Sequence, residues 1–244
     1  MNRVILWIQL LTVVTLVVIT SSLSRAEPIR YSVGVKAWAA DWVAVNSSGE
    51  LRSFLGVMYG PVAIARYKKA FVGATYFTGE MLFPYTQIDL TTSPVGVNDA
   101  PIVATRTDLD LTTGYYLTPN FGAIAGYKQV TYDYFTPPQT SASGSGTRSN
   151  VTSSGPFIGA LGSYALGRTR FALYGNATYV FLQRNTGSAT SSFGGPSGEI
   201  GVAYRLQTWP VTIAEAYKYQ RFADSSSDDS DTFIGMIFSV TYSF

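Results

Sequence analysis

The stretch DTFIGMIFSVTYSF, Asp231 to Phe244, decides the fold. Thr232, Ile234, Met236, Phe238, Val240, Tyr242 and Phe244 fall on one side of an alternating pattern. Phe233, Gly235, Ile237, Ser239, Thr241 and Ser243 fall on the other. A period of two is the signature of a β-strand. One face is large and apolar, and the other is mostly small or polar. The run is also long, since strands of soluble proteins usually have about 5 or 6 residues.

The same pattern recurs toward the N-terminus. In Val103 to Leu117, Val103, Leu109, Leu111, Tyr115 and Leu117 share a face with threonines, while Arg106, Asp108, Asp110, Gly114 and Tyr116 share the opposite one. In Arg30 to Ala40, Tyr31, Val33, Val35, Ala37 and Ala39 oppose Arg30, Ser32, Gly34, Lys36 and Trp38. Phe171, Leu173, Ala177, Tyr179 and Phe181 oppose Tyr174, Asn176 and Thr178. Ile200, Val202, Tyr204 and Leu206 oppose Ser197, Glu199, Gly201, Ala203 and Arg205. Five further segments alternate less cleanly. In Val211 to Phe222 the phase slips, because Glu215 and Lys218 are three apart and fall on opposite faces. A bulge there would return both charges to one side.

Connections alternate in length. Tight turns stand at Tyr67-Lys68-Lys69, Thr118-Pro119-Asn120, Gly167-Arg168-Thr169 and Thr208-Trp209-Pro210. Longer polar links run over Phe83 to Ile102, Thr136 to Gly155, Asn185 to Pro196 and Ala223 to Asp231, with a shorter one at Asn46 to Leu51. Thr140 to Ser154 is rich in Ser, Gly and Thr and carries little to order it. Short turns at one end and long loops at the other predict an all-β, transmembrane, antiparallel up-and-down β-barrel. About ten strands are expected, with eight as the alternative. The turns are then periplasmic and the loops extracellular.

Which face is oily separates this from a soluble sandwich. A soluble fold puts its charges outside, whereas here Arg106, Asp108 and Asp110 share the face that elsewhere carries Gly and Thr. The opposite face suits lipid. Only closure satisfies every backbone group of a sheet in a bilayer. Two interfacial belts of aromatic rings are expected. One, at the turns, holds Tyr67, Phe71, Tyr115, Tyr116, Phe121, Phe171, Trp209, Tyr242 and Phe244. The other, at the loops, holds Trp42, Phe83, Tyr85, Tyr132, Tyr134, Phe135, Phe181, Phe222 and Phe233.

Composition agrees. Of the 244 residues only 13% are charged, about half of the roughly 25% usual in soluble domains. The 17 Tyr, 14 Phe and 23 Gly suit strands and turns. There is no Cys and no His, which excludes disulfides, thiolate metal sites, Ser–His triads and histidine bases. Residues 1–26 read as an export signal: a basic start at Arg3, an apolar run from Val4 to Ile19, and Ser24-x-Ala26 before the cut. Residues 27–244 form the barrel domain. Loss of Arg3 and Arg25 takes 17 bases to 15 against 15 acids, so the mature chain is neutral and nucleic-acid binding is not expected.

With its alternating terminal strand ending on Phe244, the chain resembles bacterial outer-membrane β-barrel proteins, porin-like in scale, of Gram-negative cells. The resemblance implies an assembly signal at Phe238, Val240, Tyr242 and Phe244, read by the barrel-assembly machinery. It also implies a cell outer-membrane location, with membrane lipid and lipopolysaccharide as neighbours. Enzymes among small barrels of this kind rely as families on a catalytic His, which is missing here. Asp108 and Asp110 lie about 7 Å apart on one strand face, but Arg106 beside them makes a lumen ion-pair network the expectation.

Lumen-lining charges are expected at Lys36, Arg106, Asp108, Asp110, Lys128, Glu199 and Arg205, four positive and three negative, able to pair nearly completely. The acidic tip from Asp224 to Asp231 reads as a solvated loop, with no metal or cofactor site and no catalytic residue assigned. The functional expectation is a non-enzymatic integral outer-membrane protein. It has a structural or surface-binding role, or provides a narrow passage for small solutes. A His-independent enzyme acting on lipid or peptide is the alternative.

Overall fold

The computed structural model describes residues 28–46, 49–53, 55–83, 87–89, 96–98, 102–136, 147–185 and 190–244. The export signal expected over residues 1–26 and the belt residue Tyr85 lie outside the described residues. The strands are β1 (Arg30–Asn46), β2 (Gly49–Arg52), β3 (Gly56–Tyr67), β4 (Ala70–Phe83), β5 (Gln87–Asp89), β6 (Gly96–Asn98), β7 (Ile102–Tyr116), β8 (Phe121–Thr136), β9 (Thr147–Ala165), β10 (Phe171–Asn185), β11 (Thr190–Arg205), β12 (Val211–Asp224) and β13 (Ser230–Ser243). Among the described residues ten of these pair in chain order into one antiparallel barrel, which β13 closes onto β1. β2 folds back on the end of β1, and β5 with β6 forms a separate small ribbon. Arrangement and strand number are as expected.

Register sets the shape. Following paired residues once around the ring runs Arg30, Arg66, Phe71, Gly114, Ile124, Gly159, Thr178, Ser197, Gln220, Phe233, Trp42. The path returns to β1 displaced by 12 residues, from Arg30 to Trp42. Ten strands with that stagger require a tilt of about 40° and a backbone radius of about 10 Å. Each residue then rises about 2.6 Å along the barrel axis. The 19 residues of β9 span roughly 50 Å, about twice the ~25 Å apolar band of a membrane barrel. Its extra length projects beyond the band at the long-loop end.

That projection changes the expected loops. Thr147 to Ser154, read as a polar link, belongs to β9 and pairs with β8 along its whole length. Thr190 to Gly195 likewise belongs to β11. Outside the bilayer a strand has no oily face to present, so no alternation betrays it in the sequence, yet the backbone ladder continues.

The outer wall is oily. Val35, Val57, Tyr59, Val72, Leu111, Ile158, Ile200, Val202, Ile213, Phe238 and Val240 are all exposed. Such an area on a soluble protein would be a liability; a closed sheet of this kind is the one that lipid tolerates. The architecture is that of an outer-membrane barrel. At the short-turn end Tyr67, Tyr115, Phe121, Tyr164, Phe171, Trp209, Tyr242 and Phe244 are exposed and form a ring. The first and last strands of the barrel meet there: Tyr31 and Phe244 exchange two backbone hydrogen bonds of 2.9 Å, and their rings stack at 5.8 Å.

The second belt is corrected. Phe135 and Phe181 are exposed, but Trp42, Phe83, Tyr132, Phe222 and Phe233 are buried in the lumen and Tyr134 packs against them. Phe71 and Tyr116, assigned to the first belt, line the lumen as well. Their positions in the register decide this, because each shares a face with the lumen-facing residues of its strand.

No bulge forms at β12 either. Its pairing with β13 is unbroken from Val211 to Ala223. Glu215 therefore faces outward, exposed between Val202 and Phe238, while Lys218 turns inward. Glu215 stands four residues above Val211, the partner of Tyr242, or about 10 Å above the aromatic ring. That places a carboxylate near mid-membrane. Replacing it, Glu215→Leu, is expected to stabilise the barrel by about 1 kcal/mol, somewhat less than the cost of a basic residue at that depth. Denaturant unfolding in lipid vesicles measures it. A loss of stability would show that the carboxylate has a favourable neighbour and is not idle in lipid.

Candidate functional site

The lumen has two halves. The half toward the long loops is a solid core of Trp38, Trp42, Met58, Phe77, Met81, Phe83, Val130, Tyr132, Phe233 and Ile237. A second cluster, Phe157, Val180, Leu182, Phe193 and Phe222, fills the other side. Trp42 centres the first, with ring centroids of Phe83, Tyr132 and Phe233 at 4.8, 5.0 and 5.0 Å. Small residues make these rings fit. A Cβ at Gly126 would overlap the Phe157 ring, and one at Gly114 the Phe71 ring. These two lumen glycines therefore seat aromatic rings and do not leave space open.

Charges are set beneath the aromatic core. Arg106 is fully buried. Its Nε and Nη2 donate to the two carboxylate oxygens of Asp108, both at 2.6 Å. Nη2 also donates to Gln220 Oε1 at 2.9 Å, and Gln220 Nε2 donates to Ser197 Oγ at 3.2 Å. Lys128 Nζ lies 2.6 Å from Asp110 and 3.3 Å from Asp108. These residues meet because Arg106, Asp108 and Asp110 alternate on β7, and Lys128 is the cross-strand partner of Asp110 on β8. The guanidinium Cζ lies 3.7 Å over the Phe233 ring, a cation–π contact, and Nη1 is the one Arg106 nitrogen without a hydrogen bond among the described residues.

Higher up, Asp231 accepts from Trp42 Nε1 at 3.0 Å and pairs with Arg184, whose guanidinium covers the Phe193 ring at 3.4 Å. Asp231 is thus a buried lumen residue and not part of a solvated tip. The exposed turn before it is clasped by Asp224, whose carboxyl hydrogen bonds from Ser191 and Ser226 hold at about 2, below the usual carboxylate value. The clasp is complete at neutral pH and loosens only as the pH falls through that value.

Below the charged layer the lumen opens into a chamber of about 300 Å³. Val62, Ile64, Phe71, Ile124, Phe157 and Leu161 are its apolar lining, and Thr75, Thr112, Asn176, Thr178 and Ser197 its polar lining. Lys36, Lys128, Lys218, Asp110 and Glu199 bring charge. Glu199 accepts from the Tyr174 hydroxyl at 3.1 Å. Lys218 is buried in the roof, its ammonium 4.8 Å from the Trp38 ring and 5.5 Å from that of Phe77. Lys36 and Lys218 form no ion pair among the described residues. At the mouth Arg66 lies over Tyr116 at 4.5 Å, and Arg205 stands exposed on the lumen face of β11.

All seven charges expected in the lumen lie on lumen-facing strand positions, yet they do not pair nearly completely. Four form the network. Glu199 bonds to a tyrosine, while Lys36 and Arg205 stand without an acidic partner among the described residues. Sequence reasoning missed Lys218, Arg184, Asp231 and Gln220. An unbroken phase through Ala214, Ala216, Lys218, Gln220 and Phe222 was the signal for two of them.

The ends of the barrel differ in charge. Arg30, Arg66, Lys68, Lys69, Arg168, Arg170 and Arg205 surround the short-turn end, with no Asp or Glu side chain beside them among the described residues. Asp41, Glu80, Asp133, Asp224, Asp228 and Asp229 lie toward the other end.

The sequence matches no protein-family model and no curated protein. Among solved structures, the chain is similar to the outer membrane protease OmpT from Escherichia coli, with 15% identity, a TM-score of 0.48, and coverage of 92% of this chain and 100% of that one. It is similar to the beta domain of the Bordetella autotransporter BrkA, with 11% identity, a TM-score of 0.48, and coverage of 89% and 99%. Neisserial surface protein A matches at 11% identity and a TM-score of 0.39, covering 88% and 97%.

The buried network makes a specific prediction. Arg106→Met leaves Asp108 without its bidentate partner and should cost about 3–5 kcal/mol. Adding Asp108→Leu should recover most of that loss, because a paired apolar replacement removes both desolvation penalties. Urea unfolding of the single and double variants checks it; a double variant no better than the single one would mean that the pair is not the dominant lumen interaction.

Proposed function

We propose that the protein is a non-enzymatic outer-membrane barrel that does not conduct solutes and acts through its outer, long-loop end. The observation that carries this reading is the lumen plug. Trp38, Trp42, Phe77, Arg106, Tyr132 and Phe233 leave 2% or less of their surface accessible, and they meet across a barrel of only about 10 Å backbone radius. A passage would need these rings and the Arg106–Asp108 pair to part together. The two carboxylates best placed for acid/base chemistry are both engaged with Arg106 and Lys128, which supports a structural role for them.

Two further features support action at the outer end. β8 and β9 project above the apolar band and present Asp133, Arg148 and Asn150 there. The longer connections are at the same end, where binding function concentrates. Lipopolysaccharide and membrane lipid are the neighbours in this reading. The barrel-assembly machinery is the partner of β13 through Phe238, Val240, Tyr242 and Phe244, which all face outward.

Planar-bilayer recording tests the plug. The wild-type barrel should give no steady single-channel steps, and a Trp38→Ala/Arg106→Ala double variant should give them. Regular steps from the wild type would overturn the reading in favour of a narrow conduit. The assembly role is separate: removal of Phe244 should lower the amount of folded protein in the outer membrane severalfold, although the area argument assigns one lipid-facing ring only about 1–3 kcal/mol. Unchanged levels would remove β13 as a recognition strand.

A further inference from the structure

We propose that the chamber on the short-turn side is a binding site for small organic carboxylates with an apolar body, which enter from the periplasm. The argument starts from Lys218. Its side chain is 7% exposed, and its ammonium has ring faces on one side and the chamber on the other. Among the described residues no carboxylate lies within ion-pair distance of it: its cross-strand neighbour Glu199 accepts from the Tyr174 hydroxyl instead. A buried ammonium without a direct ion-pair partner is costly, and a bound carboxylate in contact with it would reduce that cost.

Charge count points the same way. Three lysines and two carboxylates line the chamber. Lys128 is committed to Asp110 and Asp108, and Glu199 is bonded to Tyr174. Lys36 and Lys218 remain against the single charge of Glu199, so the cavity they share keeps an excess of positive charge. The mouth is lined and surrounded by cations without a neighbouring acid, and a focused field of one sign raises the local concentration of the opposite ion. The volume of about 300 Å³ is at the small end of ligand cavities.

The apolar part of the lining selects the body of the ligand. Phe71, Ile124, Phe157 and Leu161 offer an apolar surface that phosphate or sulfate would leave unused. A neutral aromatic would cover that surface but leave Lys218 unpaired. A carboxylate on a short apolar or aromatic body satisfies both, and Thr178, Ser197 and Gln220 line the same chamber as further polar groups. The plug above makes this a dead-end site, so the proposal requires binding and no transport.

Calorimetric titration of the purified full barrel in a neutral detergent tests it, with benzoate, benzyl alcohol and inorganic phosphate as probes. Benzoate should bind at one saturable site, with benzyl alcohol and phosphate at least about tenfold weaker, the scale of one charge-assisted hydrogen bond. Lys218→Met should weaken benzoate by about tenfold or more on the same ground. Glu199→Gln should tighten it, since a repelling charge leaves the same cavity; this second variant keeps the test open if Lys218→Met does not fold, as judged by its heat-dependent gel mobility. Equal affinity for benzoate and benzyl alcohol would overturn the proposal, and so would tighter binding of phosphate than of benzoate. Benzoate binding unchanged by folded Lys218→Met and Glu199→Gln proteins would do the same. None of these outcomes depends on whether the plug conducts.

Discussion

A backbone amide or carbonyl in hydrocarbon has no water to bond, and each one left unpaired costs several kcal/mol. Everything else in this structure depends on that constraint. It forces β13 to pair with β1 over 14 residue pairs, from Ser32 with Ser243 to Val45 with Ser230. Closure at ten strands with a stagger of 12 residues then determines the tilt and the radius. The radius in turn sets what the interior must hold. At about 10 Å from axis to backbone, side chains from opposite walls can touch, and large ones must.

The lumen answers that geometry with aromatic rings toward the outer end and charges at the middle. Rings alone would have sufficed to fill the space. The charged layer does something rings cannot, because its groups bond across strands far apart in the chain: Arg106 on β7 reaches Gln220 on β12, and Gln220 reaches Ser197 on β11. Its cost is desolvation. Phe233, Trp38 and Phe77 reduce that cost by presenting ring faces to Arg106 and Lys218. A buried network of this kind fixes which residues face each other more than it adds stability.

The fold was legible because lipid imposes a strict period. Asp231 to Phe244, Val103 to Tyr116 and Arg30 to Ala40 alternate because one side must be oily, and the assigned faces are those of the structure. Legibility ends where lipid ends. Thr147 to Ser154 forms a regular strand without any alternation, since water accepts either face. It also weakens where an exception sits in the lipid itself. Glu215 on the oily face made β12 look out of phase, and Lys218 was lost from the lumen set as a result. The aromatic belt at the outer end failed for a different reason: Trp42, Phe83, Tyr132 and Phe233 were placed by their height along the strand, when the parity of their position decides which side a ring takes.

The plug also has a position, and that position divides the molecule by charge. Had it lain at the short-turn end, the lumen would have opened outward among Asp41, Glu80 and Asp133. It lies at the other end, so the open half of the barrel faces the cationic rim. Within that half the acids nearest the mouth are Asp110, paired with Lys128, and Glu199, which bonds to the neutral Tyr174 hydroxyl and keeps its charge. Glu199 alone offsets part of the positive field from Arg66 and Arg205 up to Lys36 and Lys218. Salt screens charges beyond about 8 Å in open solvent, but low-dielectric walls on every side screen poorly. The field inside the chamber therefore outlasts the one on the rim. In the proposed reading the interior combines a barrier with a site, and the same arginine–aspartate layer forms the floor of one and the roof of the other.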